Sequence, residues 1–357
     1  MRKIPLRLLA IAIVFGDLLT VGRAGAQAQW TTLDDFLTRA IRLNAQELAA
    51  LGRGATVARM LPTADGDDIA VFGAVRVNVA RSFFADRQRD VARALRTPTR
   101  TRVQRFSDPA VASDVQAIEI SGDDLKELRG CRPGSCNFKL PATDMERFRS
   151  AIGSGSDAPQ RAAAYAGQRM VEYVNDYRSR GNAAMLVFDD RGTVRSSDAL
   201  VALLRDSSYV FTAVPSLGQH LVDYPRSSLP GATEVMFWSL DEMPHLRPVL
   251  RITHETIYSP PERGDLTVIA DKQIYANHYF EAGLEVLAAV DRAAAGGTSG
   301  AVGITAVAVR RYRFDHLPSG GLLNIRGRVA NGLRDNVRAD LERLKRDNEV
   351  EWARTNR

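Results

Sequence analysis

Alternating apolar and polar positions mark one early segment and five late segments of the chain. Valines alternate along residues 68–79, and this two-residue period predicts a β-strand. Further strands are predicted at 234–239, 248–258, 266–275, 279–290 and 303–314. Alanines at 287–295 would also suit a helix, but the alternation from Phe280 to Val290 favours a strand. The late segments therefore predict an antiparallel meander.

Helical periodicity fills most of the remaining chain. Helices are predicted at 31–60, 81–96, 122–128 and 158–179, twice within 197–225, and at 322–348. Thr143 and Glu146 match a capping box, which predicts another helix from Asp144. Two short strands are expected near 102–106 and 115–120.

The order of these elements predicts the α+β class. We expect an antiparallel β-sheet packed by the long C-terminal helix, within a single domain that spans residues 29–357. A mainly helical insertion is expected at 100–233, followed by the meander and its closing helix at 234–348. With 357 residues, of which 45% are hydrophobic, the chain is long enough for a substantial core.

The first 28 residues have the pattern of a secretory signal peptide. A basic stretch that ends at Arg7 precedes an apolar run at 8–15, which is too short to span a membrane. Small residues there fit cleavage after Ala26 or Ala28, and the segment has no Cys for lipoprotein acylation. We expect a Sec-exported protein, periplasmic or secreted, without a transmembrane segment. Removal of the signal peptide lowers the formal net charge of the chain from +6 to about +3, so no nucleic-acid partner is predicted.

Cys131 and Cys136 are the only cysteines, and a Pro-Gly turn sequence lies between them. In an oxidising compartment we expect them to form a disulfide. A redox pair or half of a metal site is the alternative, but no second Cys or His pair lies nearby in the sequence. Closing so short a loop would stabilise the fold by roughly 2 kcal/mol.

Polar residues interrupt the apolar face of the second and third meander strands. With the turn centred at Glu262, His254 pairs with Ala270, and Lys272 and Tyr258 lie on the same face. In one interpretation His254 bonds to the backbone inside the core and Lys272 extends to solvent at the rim. In the other, these residues are polar contacts inside a mostly apolar pocket.

Two further groups of polar residues lie on the meander. Arg251, Thr253 and Asp271 occupy the opposite face of the same strands, which predicts a solvated polar ladder. Tyr275 and His278 belong to an aromatic and polar cluster at the next strand junction. Such a cluster either seals the end of a sheet or lines the mouth of a ligand pocket.

No motif in the chain fixes a reaction or a cofactor. The chain lacks a P-loop, a nucleophile elbow and a zinc-protease motif, and its five histidines show no metal-ligand spacing. Residues 153–157 match a dinucleotide-binding loop only weakly and are interpreted as a linker. No cofactor and no metal are therefore predicted. The last helix mixes basic with acidic residues, which favours a solvated face, with peripheral membrane contact as the alternative.

The order of early strand, helix, late meander and long terminal helix resembles the START-like, or helix-grip, superfamily. The resemblance covers 68–79, 234–314 and 322–348. It implies a curved sheet gripped by the C-terminal helix, with a lipid or other apolar ligand between them, although a long helical stretch interrupts the pattern here. The sequence at 131–136, with 271–280, also resembles a secreted bacterial family that has no assigned function.

The leading hypothesis is therefore non-catalytic binding of an apolar or amphipathic, lipid-like small molecule between the sheet and the C-terminal helix. The candidate ligand contacts are His254, Lys272, Tyr258, Tyr275 and His278. One alternative is an envelope hydrolase that uses His254 or His278 as general base. The other is a structural or interaction protein without a ligand, so an enzyme is the less favoured class.

Overall fold

The computed structural model describes residues 30, 32–90, 99–242, 246–292, 303–315 and 324–356. The predicted signal peptide lies outside these residues, as does the end of the predicted helix at 81–96. None of the helices within the described residues combines the length and the apolar character needed to cross a membrane.

An antiparallel sheet of eight strands forms the centre of the molecule. Its strands are β1 (Val57–Leu61), β2 (Asp68–Val77), β3 (Arg100–Arg105), β6 (Thr233–Asp241), β7 (Val249–Tyr258), β8 (Leu266–Ala276), β9 (Phe280–Asp291) and β10 (Ile304–Phe314), in the spatial order β1-β2-β10-β9-β8-β7-β6-β3. β4 (Val187–Phe188) and β5 (Val194–Arg195) form a separate small hairpin. Because the five late strands are consecutive neighbours, the predicted meander is confirmed, including the strand at β9.

Helices cover both faces of the sheet. They are α1 (Leu33–Asp35), continued by a π-helical turn (Phe36–Ala40), α2 (Ala45–Gly52), α3 (Arg81–Arg89), α4 (Gly122–Gly130), α5 (Ala142–Ile152), α6 (Ala158–Arg180), α7 (Ser196–Asp206), α8 (Pro215–Asp223) and α9 (Ile325–Thr355). Short 3₁₀ turns lie at Ala112–Val115, Gly181–Ala184 and Ser208–Phe211.

The C-terminal helix α9 packs across one face of the sheet, as predicted for this α+β fold. Its apolar stripe, which includes Leu333 and Val337, is buried against the valines of β2. The helix crosses β2 at Gly73, where an added Cβ would lie 2.5 Å from a methyl group of Val337. Close approach at a residue without a side chain brings the helix backbone near the sheet.

The helical elements between β3 and β6 cover the opposite face. Apolar residues of α6, α7 and α8, such as Val174, Leu200 and Leu221, form one core with the inward side chains of β6 to β9. Helices α4 and α5 build a smaller adjoining core around the predicted Cys131–Cys136 disulfide, which is present. Both faces of the meander are therefore buried.

Three local predictions were wrong, and for two of them a contact distant in sequence decided the conformation. Val57–Leu61 is a strand rather than the end of a helix, since it pairs with β2 along its whole length. Residues 115–120 form no strand, and a 3₁₀ turn that ends at Val115 replaces the start of one. Helix α5 begins at Ala142, whose backbone N–H donates to the Asp189 carboxylate, so the predicted capping box does not form.

Candidate functional site

The candidate residues of β7 and β8 lie on the face that the helical insertion covers. His254 pairs with Lys272 across the two strands, so the turn is centred at Arg263 and the predicted pairing with Ala270 was wrong by two residues. The connection between the two strands is longer than predicted, because it contains two successive hydrogen-bonded turns between Pro260 and Leu266. A two-residue shift leaves every side chain on its predicted face.

His254 belongs to a buried hydrogen-bond network between the sheet and the insertion. Its Nδ1 lies 3.0 Å from the Tyr177 hydroxyl, and its Nε2 contacts the Glu234 carboxylate. The other Glu234 oxygen lies 2.8 Å from Nε2 of His220. Burial lowers the pKa of His254. For Glu234, burial acts to raise the pKa, but the hydrogen bonds from His220 and His254 outweigh it and lower the pKa of Glu234 to about 2. The carboxylate therefore stays ionised between two imidazoles.

Lys272 is fully buried and connects the sheet to the insertion. Its ammonium group donates to Asn182 Oδ1 at 2.6 Å and to the Leu221 carbonyl at 2.8 Å. It also lies 5.2 Å from the centre of the Tyr177 ring. Burial lowers the pKa of Lys272 to about 7. The side chain therefore ends among protein acceptors rather than in solvent.

The other three predicted residues lie at separate places. Tyr258 is buried in the core between the sheet and the insertion. His278 is also buried, with its Nδ1 donating to the Asn137 carbonyl at 2.8 Å and its ring 4.4 Å from that of Phe138. Tyr275 is half-buried and lines a cavity of about 80 Å³, described below. The five residues therefore do not form one pocket.

A second group of polar residues, which the sequence pattern placed in solvent, is buried on the α9 face. Arg251 and Thr253 are only 3% and 2% exposed and Asp271 is half-buried, so the predicted solvated ladder was wrong. Glu255, on the same face, is 3% exposed. Helices α3 and α9 cover these residues and leave a cavity of about 160 Å³. We call it the charged cavity; its polar lining is Arg87, Gln88, Arg100, Glu255, Asp271, Glu285, Arg310, Asp340, Arg343, Asp347 and Asn348.

Three carboxyl groups stand side by side across the floor of the charged cavity. Glu255 pairs with Asp271, Asp271 with Glu285, and Glu285 with Arg310 on four neighbouring strands. Glu285 accepts from Arg251 at 2.9 Å and lies 3.1 Å from Arg310. Burial acts to raise the pKa of Glu285, but the arginines outweigh it and hold this pKa well below its usual range. Glu285 is therefore an ionised, compensated carboxylate.

Glu255 and Asp271 are in the opposite electrostatic state. Burial, together with the neighbouring carboxyl groups, raises the pKa of Glu255 well above its usual range and that of Asp271 to about 6. Glu255 Oε1 and Asp271 Oδ1 are buried without a hydrogen-bond donor. Two adjacent carboxyl groups that cannot both ionise hold a proton between them. The pair therefore carries a shared proton at neutral pH.

A second cavity, of about 80 Å³, lies between the insertion and the end of the sheet. Its walls are Ile120, Leu128, Phe138, Leu140, Phe148, Ala166, Met170, Tyr173, Leu186, Leu250, Ile252 and Tyr275. Asp144 and Arg169, which form a 3.1 Å ion pair, and Asn277 complete the lining. We call it the apolar cavity. In the described parts of the chain, no group of three His, Cys, Asp or Glu side chains could hold a metal ion.

The sequence contained only part of the signal for the charged cavity, because the predicted pairing of His254 with Ala270 does not align its carboxyl groups. The strands carry charged residues at alternating positions, and pairing them in register aligns Glu255, Asp271 and Glu285. Like charges directly opposite one another are unfavourable in a sheet, so such an alignment points to a site with a special role. No family model, no curated protein and no solved structure matches this chain.

Proposed function

We propose that this protein binds a small amphipathic molecule in the charged cavity, without catalysis. The observation that carries the proposal is a cavity in which uncompensated carboxyl groups face apolar walls. Ile269 and Leu287 of the sheet and Leu341 and Leu344 of α9 form those walls. The charged cavity is more polar than most small-molecule sites, but it combines the concave shape, apolar walls and convergent polar groups that such sites use.

The volume of the charged cavity limits the size of the ligand. A cavity of ~150 Å³ lined by apolar residues is large enough to hold benzene. The charged cavity, at about 160 Å³, therefore suits a molecule with one ring or a short alkyl chain and one polar group. The position between the sheet and the C-terminal helix also supports the helix-grip resemblance, whereas the polar lining favours an amphipathic ligand over a purely apolar lipid.

The proposal is tested by calorimetric titration with benzyl alcohol, which is neutral, amphipathic and of the right size. We expect binding to the wild type and at least a tenfold loss in Leu344→Trp and in Ala308→Leu, which obstruct the charged cavity from the helix and from the sheet. Ala166→Leu, which narrows the apolar cavity instead, is the matched control. Unchanged binding in both obstructed variants, with cooperative unfolding retained, would refute the assignment.

The apolar cavity favours a second candidate function, the binding of a purely apolar molecule beside Tyr275. Its walls are almost entirely aliphatic or aromatic, and such walls bind ligands through the area removed from water. Titration with toluene should show binding that Ala166→Leu abolishes and Leu344→Trp leaves unchanged. The reverse result would assign the apolar probe to the charged cavity.

The remaining functional hypotheses rest on less support. His254 and His278 do not line the charged cavity or the apolar cavity, so neither of these two cavities supports the hydrolase hypothesis. Export stays part of the proposal, and the Cys131–Cys136 disulfide supports it because such bonds persist in oxidising compartments. Secretion of the full chain with loss of the first 26 or 28 residues would test export directly.

A further inference from the structure

The arginines of the charged cavity are already neutralised by carboxylates of the protein. The ion pairs are Arg87–Glu351, Arg100–Asp241, Arg100–Glu285, Arg251–Asp241, Arg251–Glu285, Arg310–Glu285, Arg310–Asp340 and Arg343–Asp340, with N–O distances of 3.8, 3.4, 3.9, 2.8, 2.9, 3.1, 2.8 and 3.0 Å. Glu255 and Asp271 form no ion pair of this kind within the described residues. The charge that lacks a partner in this cavity is therefore negative.

The unpartnered atoms that line the charged cavity are also of one chemical kind. Glu255 Oε1, Asp271 Oδ1 and Asn348 Oδ1 are buried and have no hydrogen-bond donor among the described residues. Glu255 and Asn348 are only 3% and 4% exposed, so solvent cannot readily supply donors to them. A buried acceptor without a donor is costly. A complementary ligand must therefore bring donors rather than acceptors.

We infer that the ligand carries a primary ammonium group, which binds between Glu255 and Asp271 in place of the proton that they share. This inference rests on the proposed function, because it identifies the polar group of the same ligand. An ammonium ion has three donors and no acceptor, which matches the unpartnered oxygens. The alkyl or aryl part of the molecule lies against Ile269 and Leu344. The displaced proton passes to the solvent.

Other ligand classes match the charged cavity less well. An anion would meet uncompensated carboxyl groups, and burying like charges together is unfavourable. A metal ion would need three converging ligands, which the described residues do not provide here. A neutral polyol could satisfy the same acceptors, but it would leave the negative charge uncompensated. Of these classes, only the ammonium group supplies both donors and positive charge.

The groups that face the Glu255–Asp271 pair determine how binding depends on pH. They are Arg100 of β3, Arg251 of β7, Glu285 of β9, Arg310 of β10, Arg87 of α3, and Asp340, Arg343 and Asp347 of α9. Arginines stay protonated at all relevant pH values, and Glu285 stays ionised beside them. Among the residues that the structure describes, no histidine lines the cavity. The pair itself is therefore the group whose charge changes between pH 5 and pH 8.

The test compares benzylamine with benzyl alcohol, which has the same ring but a neutral head group, by calorimetric titration of the full chain. At pH 7.5 we expect benzylamine to bind at least tenfold more tightly. Its affinity should fall about tenfold per pH unit as the pH is lowered towards 6, because one shared proton must be displaced, and about a hundredfold per unit below about pH 6, where the fully protonated pair must release two protons. The affinity for benzyl alcohol should stay constant. Proton release should appear as different binding heats in phosphate and Tris buffers.

Two isosteric variants separate the charge of the pair from its shape. Asp271→Asn and Glu255→Gln should each lower the affinity for benzylamine at least tenfold and leave that for benzyl alcohol within threefold. Asp335→Asn is the control, because it removes a carboxylate from the solvent side of α9, the helix that covers the charged cavity. If one variant fails to unfold cooperatively, the other suffices.

The outcomes distinguish this inference from the proposed function. Equal, pH-independent binding of both probes would overturn the ammonium group and leave the proposed function intact. Binding of neither probe would overturn both. If Asp271→Asn and Glu255→Gln both still bind benzylamine more tightly than benzyl alcohol, another charged group recognises the ammonium, and this result would also overturn the inference.

Discussion

Replacing Asp271 with asparagine should stabilise the protein, and the gain should depend on pH. Asp271 stands between two other carboxyl positions in the sheet, with Glu255 on one neighbouring strand and Glu285 on the other. An asparagine side chain has the same shape, cannot ionise, and can donate a hydrogen bond to Glu255. The substitution therefore removes a buried charge without creating a cavity.

The magnitude follows from the pKa of the Asp271 carboxyl group. Burial, reinforced by Glu285, raises this pKa from 3.8 to about 6 in the folded state. The folded protein thus binds a proton more tightly than the unfolded chain, and stability is lost as the pH rises from about 4 to about 6. Two pKa units correspond to about 3 kcal/mol. The free energy of unfolding of Asp271→Asn, measured relative to that of the wild type, should therefore be up to about 3 kcal/mol higher at pH 8 than at pH 4.

Urea unfolding, followed by circular dichroism at intervals from pH 4 to pH 8, measures this difference. The free energies of unfolding of the two proteins should diverge between pH 4 and pH 6 and run parallel above it. Asp335→Asn should change stability by less than about 0.5 kcal/mol at every pH, because Asp335 is 62% exposed. A difference between Asp271→Asn and the wild type that stays constant over this range would refute the burial of an uncompensated carboxyl pair.

Three further perturbations test other parts of the structure. Burial lowers the pKa of Lys272 from 10.5 to about 7, so the unfolded chain binds more protons than the folded protein between these pH values. In urea unfolding from pH 7 to pH 10, the free energy of unfolding of the wild type should therefore rise relative to that of Lys272→Met by about 1 kcal/mol per pH unit. Glu285→Gln should cost about 3 kcal/mol or more in thermal unfolding, because it leaves Arg251 and Arg310 with one counter-charge fewer; full stability would contradict the ion-pair network. The double substitution Cys131→Ser and Cys136→Ser should cost about 2 kcal/mol and make urea unfolding insensitive to reducing agent, and equal stability would show that the disulfide contributes nothing.

A stability gain in Asp271→Asn would also bear on function. Residues whose replacement stabilises a protein are often retained because a binding or catalytic site needs them. Glu255 and Asp271 disfavour the folded state through their burial and proximity, and the nearby Arg100 offsets this effect only in part. Their retention is explained if a cation binds between them.

The sequence by itself determined those elements whose signal is local. Alternation of apolar side chains located β7 to β10 within a residue or two of their observed ends. Successive side chains of a strand point to opposite faces, so the pattern repeats every second residue wherever the two faces differ in composition. The helix at 158–179 was also predicted correctly, since its apolar spacing runs to Gly181, which adopts a positive φ of 58° at the helix end. The spacing of Cys131 and Cys136 likewise sufficed to predict their disulfide.

The tertiary structure alone decided which faces are buried and which charged residues meet. Arg251 lies between Leu250 and Ile252 as a solvent-facing residue would, and Glu255 lies on the same face of the strand. Only the packing of α3 and α9 over them makes that face an interior. Periodicity describes the side on which a residue lies, but it contains no information about what covers that side. The alignment of Glu255, Asp271 and Glu285 similarly depends on the register of three strands. Register is fixed by turn length and by packing, which are properties of the whole fold.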